Sequence, residues 1–190
     1  MVEILAALSA SAAAGMRIAL PLLVIGLIQN EELWSRVPLL SSIPPQIVVG
    51  ILAGWSFLEV VASKRFLGQR VLQIVELFFT PIVGALMGIT VAKIAAVSPS
   101  LIWIIGIVGG LLALVLRLVQ IGWFYRLRGI PLWIVFIEDA LCVFLVVLAF
   151  DAPKKGGLIA LMLLWLAIRS SKEWQRIYRE RKRHHYQEPD

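Results

Sequence analysis

Residues 101–121 read LIWIIGIVGGLLALVLRLVQI, a stretch in which Arg117 is the sole charged side chain. An α-helix rises ~1.5 Å per residue, and ~20 apolar residues span the hydrocarbon core of a bilayer. Apolar residues fall on every face of this segment, not on one stripe, so it is built to be surrounded by apolar matter. A buried core helix would meet the same condition, and the whole-chain composition decides between the two. Of 190 residues, 60% are hydrophobic and 16% charged, and the mean hydropathy is +0.89. A soluble domain carries roughly 25% charged residues. The excess apolar surface calls for a non-aqueous solvent.

Working outward from that block, five more emerge, at 4–28, 46–62, 71–96, 131–150 and 156–168. The last is short and is expected to continue into the polar segment after Arg169, whose long side chains can snorkel. The prediction is an all-α, polytopic transmembrane helical bundle of about six helices over residues 1–168, with a basic tail at 169–190. The opening Met1-Val2-Glu3-Ile4 lacks the basic region of a secretory signal, so the first block is expected to be a retained helix. Pro21 and Pro81 are expected to kink their helices. The segment between the first two blocks, with Pro38, Pro44 and Pro45, reads as an irregular cap.

Basic residues set the orientation. Lys64, Arg65, Arg70, Arg117, Arg126, Arg128 and seven residues from Arg169 to Arg183 lie on the side of the N-terminus. Arg36, Lys93, Lys154 and Lys155 lie opposite. Both termini are therefore expected in the cytoplasm. Trp123, Tyr125 and Trp133 bracket one cytoplasmic turn, where an interfacial aromatic belt belongs.

Four helices carry small residues at a spacing of four: Ser11 and Gly15, Gly50 and Gly54, Gly84 and Gly88, Gly106 and Gly110. Such a pair shares one face and lets backbones approach closely. The expectation is ordinary helix packing, with a homo-oligomeric seam or a glycine-lined path as the sharper alternative.

Arg17, Glu59, Glu76, Lys93, Arg117, Glu138 and Asp139 interrupt the apolar blocks or sit at their ends. A lone charge at mid-bilayer costs about 2.5–3.5 kcal/mol on insertion scales, so these groups are expected to face the bundle interior and find partners. Arg17 lies deepest, and Glu59 or Glu76 is its expected partner. Glu138 and Asp139 point about 100° apart on a helix, so at most one should face the interior squarely. Arg17, Glu59, Glu76, Arg117, Glu138 and Asp139 thus form a candidate ion or solute site near the cytoplasmic face. The competing reading is a structural network that fixes helix registry.

In the tail, Trp174, Ile177 and Tyr178 share one helical face among Lys172, Arg176 and Arg179. A basic amphipathic helix of this kind rests on anionic lipid headgroups. Its alternative role is docking an acidic partner. The bilayer and its headgroups are the expected partners, and no nucleic-acid partner is expected.

Catalytic signatures are absent. The chain has no GxxxxGK[ST] loop, no GxSxG elbow and no HExxH, and its two histidines, His184 and His185, lie in the tail. Ser9, Ser11 and Ser56 have no histidine near them as a base. Neither enzymatic activity nor a metal or cofactor is expected, and the lone Cys142 cannot form an intrachain disulfide.

Several short runs carry a resemblance. They are the small-residue opening from Ala6 to Gly15, Leu20-Pro21-Leu22, Glu59-Val60-Val61-Ala62-Ser63-Lys64, and Gly84-Ala85-Leu86-Met87-Gly88. In these the chain resembles the bacterial and plastid-lineage membrane proteins grouped as domain of unknown function 4126. The family tends to have an acid followed four residues later by Asp-Lys and a proline. Here Ser63 stands in place of the aspartate and Phe66 in place of the proline, which argues against a metal-binding motif. The resemblance implies a multi-pass protein of a bacterial plasma membrane or a thylakoid membrane, without an established activity. The leading functional expectation is a small channel or transporter-like protein for an ion or small polar solute. The alternative is a non-catalytic assembly or scaffold protein that binds lipids or membrane partners.

Overall fold

The computed structural model describes residues 2–29, 44–62, 66–126 and 132–185, and these contain seven helices and no strand. They are α1 (Val2–Met16), α2 (Ala19–Gln29), α3 (Pro45–Ala62), α4 (Phe66–Ile94), α5 (Pro99–Arg126), α6 (Leu132–Asp151) and α7 (Pro153–His185). Of the proline-rich cap, residues 30–43 lie outside the described residues, and Pro45 opens α3. Within the described residues, two segments are long and apolar enough to cross a membrane, Gln73–Ile94 and Pro99–Trp123.

The first apolar block is not one helix. It breaks at Arg17 and Ile18 into α1 and α2. Pro21 explains where the second piece begins. Its ring nitrogen has no hydrogen to give, and only in the first turn of a helix does that cost nothing. Restarting at Ala19 puts Pro21 in that first turn. Pro81, by contrast, lies inside α4, which runs through it without interruption. Thr80 Oγ1 donates to Glu76 O at 2.6 Å one turn before the proline.

Helix α1 is the axis of the molecule. It packs against α4, α5, α6 and α7, and every residue from Ser9 to Met16 is buried. The run Ser9-Ala10-Ser11-Ala12-Ala13-Ala14-Gly15 leaves no large side chain to hold neighbours away, so four helices can press on one. Ser9 Oγ donates to Leu145 O of α6 at 2.7 Å, and Ser11 Oγ donates to Gly84 O of α4 at 2.9 Å. Each serine hydroxyl finds an acceptor at the closest approach of two backbones, so burying it costs little. A Cβ added to Gly15 would stand 2.9 Å from the Ala113 backbone of α5.

Large apolar side chains lie on the outside. Phe57, Ile74, Phe78, Trp103 and Phe136 are each at least 70% exposed. Alanine fills much of the interior, and Ile25, Met87, Leu145 and Val146 are among the largest fully buried side chains.

Helix α4 ends in a Schellman turn, with Val97 N donating to Ala92 O at 3.0 Å and Ala96 N to Lys93 O at 3.2 Å. Ala96 occupies the left-handed position with φ 53°, where glycine is the usual residue. Helix α7 continues unbroken from the apolar segment through the expected boundary at 168/169 to His185. The Arg169 guanidinium stacks over the Trp165 ring at 5.2 Å, so charge and ring meet where the apolar half ends.

Candidate functional site

The break after Met16 leaves the last carbonyls of α1 without the amides that a continuing helix would supply. Side chains from other helices take up part of that role. Arg117 of α5 donates from Nη1 to Met16 O at 3.0 Å, a cation placed at the negative end of the α1 dipole. Cys142 Sγ of α6 lies 3.5 Å from Ala13 O, which also accepts from Arg17 N at 3.1 Å. A local interruption in the chain therefore creates polar demand in the middle of an apolar bundle. The buried charges gather around it.

Among the described residues, two ion pairs flank the break. Arg117 pairs with Glu76 of α4, and the two residues are 4% and 2% exposed. Arg17 donates from Nε to Asp139 Oδ1 of α6 at 2.6 Å. The second pair is less enclosed, with Asp139 about a quarter exposed at its side chain. Gln120 extends the network. It accepts from Arg117 Nη1 at 3.4 Å and donates from Nε2 to Glu138 Oε1 at 2.6 Å. The α1 terminus, α4, α5 and α6 are thus joined at one level through Arg17, Glu76, Arg117, Gln120, Glu138 and Asp139. Glu76 Oε1 has no hydrogen-bond donor among the described residues.

This arrangement differs from one of the two expected pairings, Arg17 with Glu76, and the other, with Glu59, rests on a side chain outside the described residues. Of the two expected partners of Arg17, Glu76 is taken by Arg117, while Arg17 bonds Asp139, a partner the sequence did not suggest. The reason is the helix break: it ends α1 beside α6, whereas α4 presents Glu76 to α5. Of Glu138 and Asp139, at most one is expected to face the interior squarely; both are half-buried, and both are hydrogen-bonded. Helix α6 has a neighbour on each flank, so Asp139 serves α1 while Glu138 serves α5. Sequence reasoning overlooked Gln120, whose signal is a lone amide three residues after a buried arginine.

A cavity of about 280 Å³ opens beside this network. Met16, Leu116, Val119, Ile134, Ile137, Leu141, Leu163, Leu166 and Ala167 make its walls apolar. Gln120, Glu138, Trp123 and Ser170 supply its polar atoms, and Trp123 Nε1 donates to Ser170 Oγ at 2.9 Å. Among the described residues, no three of His, Cys, Asp and Glu come together as a metal-holding group.

The glycine pairs divide. Gly84 and Gly88 of α4, and Gly106 and Gly110 of α5, sit where these helices approach each other and α1. A Cβ on Gly110 would meet Pro81 O at 2.7 Å. Around Gly50 and Gly54 of α3 a Cβ would meet nothing within 4 Å among the described residues. In the tail, Lys172, Trp174, Arg176, Tyr178 and Arg179 lie on α7, and their side chains are outside the described residues.

No curated protein and no solved structure matches the chain. Residues 4–173 match the domain of unknown function DUF4126, from the start of α1 to just beyond the apolar half of α7, and the chain belongs to that family.

Proposed function

We propose that the chain is a multi-pass membrane protein that binds and passes a small ion or polar solute at the break in its first helix. In this reading α1 with α2, then α3, α4, α5, α6 and the apolar half of α7 make six passes. Both ends face the cytoplasm of a bacterial plasma membrane or the equivalent side of a thylakoid membrane. The outward display of Phe57, Ile74, Phe78, Trp103 and Phe136 supports a lipid environment, because a soluble surface rarely exposes large contiguous apolar patches. The basic end of α7 would then rest on anionic headgroups.

The observation that carries the functional part is the interrupted α1–α2 element, whose open end meets buried arginines and carboxylates. Discontinuous helices with charged residues at the break are how many transporters build a site within the bilayer. Glu76 Oε1, buried with no donor among the described residues, fits a group that takes up a proton or cation during a cycle. The cavity beside Glu138 gives the network an approach from one side.

Reconstitution into proteoliposomes tests the proposal. The intact chain should carry a proton or cation flux above empty vesicles, and Glu138→Gln should reduce it at least ten-fold while leaving the protein folded. Vesicles carrying the intact chain that leak no faster than empty ones would end it. A scaffold reading is favoured by a different observation, namely that Arg17 and Arg117 are both bonded to acids inside the bundle. That reading expects no flux from the intact chain and loss of folded protein when either pair is broken.

A further inference from the structure

We propose that Glu76 is a proton-binding site, and that the ion handled at the break in α1 is a proton, not a metal cation. The inference rests on the transport reading and names the species that its charged cluster takes up.

The two oxygens of this carboxylate have different surroundings. Oε2 pairs with Arg117 Nη2, while Oε1 is buried with no donor among the described residues. The buried hydroxyls on this side of the bundle are committed elsewhere: Thr80 Oγ1 donates to Glu76 O, and Ser11 Oγ donates to Gly84 O. A buried charged acceptor without a donor is costly, and a proton on that oxygen removes the charge. In the binding step a hydronium gives its proton to Oε1. An O–H bond forms there, the carboxylate becomes a carboxylic acid, and one water molecule is left.

A metal cation finds no comparable place. Such an ion takes several oxygen ligands at once, and no three of His, Cys, Asp and Glu come together among the described residues. Glu76 does not line the cavity beside Glu138. The packing around it is tight: Thr80, one turn on, is fully buried, and a Cβ on Gly15 would stand 2.9 Å from the Ala113 backbone. A second cation would also meet Arg117 with like charge. A proton needs no cavity, because a covalent bond holds it.

Proton uptake must also leave Arg117 with acceptors. After Glu76 loses its charge the guanidinium keeps two neutral ones, Met16 O at the negative end of the α1 dipole and Gln120 Oε1. Helix α4 packs against α5, α1 and, more lightly, α3. Of the charged side chains described on these elements, Arg117 is the one paired with Glu76, Arg17 beyond the end of α1 is held by Asp139 of α6, and Glu3 lies at the opposite end of α1. Lys93 stands in the last turn of α4 itself. Glu138 of α6 joins the cluster through Gln120. The side chain of Glu59 on α3 is outside the described residues. Uptake therefore breaks the α4–α5 ion pair while Arg117 stays seated on α1.

Infrared difference spectra of the full chain in nanodiscs, titrated over about pH 4 to 9, read the carboxylic C=O stretch directly. The intact chain should show one carboxylic band that grows as pH falls, that Glu76→Gln removes and that Glu138→Gln retains. Identical carboxylic bands in the intact chain and Glu76→Gln overturn the inference. If Glu76→Gln does not fold, Glu76→Asp, which keeps the charge, should displace the band, and bands left undisplaced overturn it as well. In proteoliposomes the intact chain should respond at least ten-fold more strongly to a pH gradient than to an equal gradient of sodium or potassium. Flux that follows sodium or potassium and ignores pH overturns the proton and leaves the transport reading standing. A titrating Glu76 band without any flux retires the transport reading and leaves the site.

Discussion

Helices α4 and α3 carry the same sequence device, two glycines four residues apart, and use it in opposite ways. On α4, Gly84 and Gly88 lie in a seam so close that Ser11, Ala113 and the Ile105 backbone fill the space a side chain would need. On α3, Gly50 and Gly54 face open space as far as the described residues go. The seam that uses its glycines also carries the buried Arg117–Glu76 pair between α4 and α5. Spacing creates a smooth face, but only a partner of complementary shape turns it into contact. A partner is what α4 has in α1 and α5.

The largest effect should come from the charge in that seam. Glu76→Ala leaves Arg117 buried without its carboxylate, and removing one member of a buried pair costs about 3–5 kcal/mol. Unfolding in mixed micelles should show it, and a loss under 1 kcal/mol would mean water reaches Arg117. Next comes shape: Gly84→Val or Gly110→Val forces the seam apart and should cost about 1–3 kcal/mol, as overpacking does. A neutral result at both positions would dissolve the contrast with α3.

The third expectation is a gain. Ala96 sits in the left-handed region at the end of α4, where a Cβ costs about 1–2 kcal/mol, so Ala96→Gly should stabilise by about 1 kcal/mol. A loss there would mean that the Schellman turn is not the resting conformation. The smallest effect sharpens the comparison most. Gly50→Ala and Gly54→Ala should each stabilise α3 by about 0.5–1 kcal/mol, since alanine favours helix and meets nothing. Should both destabilise, a second molecule covers this face in the native assembly.

Much of the architecture was legible in the chain. The blocks at 46–62, 71–96, 101–121 and 131–150 match α3 to α6 within about five residues at each end. Long apolar runs are local facts, and the helix is the one structure that satisfies its own backbone in apolar surroundings. The buried charges could also be picked out, because each interrupts such a run. Their pairing could not. Arg17 bonds Asp139, 122 positions away, and nothing local to either residue encodes that distance. The break at Arg17 and Ile18 was only half visible. Pro21 signals an interruption, yet it does not say that α1 ends five residues earlier, at Met16, against the guanidinium of Arg117.

What the sequence determined by itself was helix: roughly where the apolar segments lie, how apolar each is, and which positions carry charge or lack a side chain. Only the tertiary structure decided which of those positions meet. A helix face is fixed by a period of 3.6 residues, but the neighbour it meets is chosen by packing among all seven helices at once. Gly84 and Gly50 look alike in the chain, and so do Glu76 and Glu138. They differ because one of each pair is closed off by a neighbouring helix, while Gly50 faces open space and Glu138 a cavity.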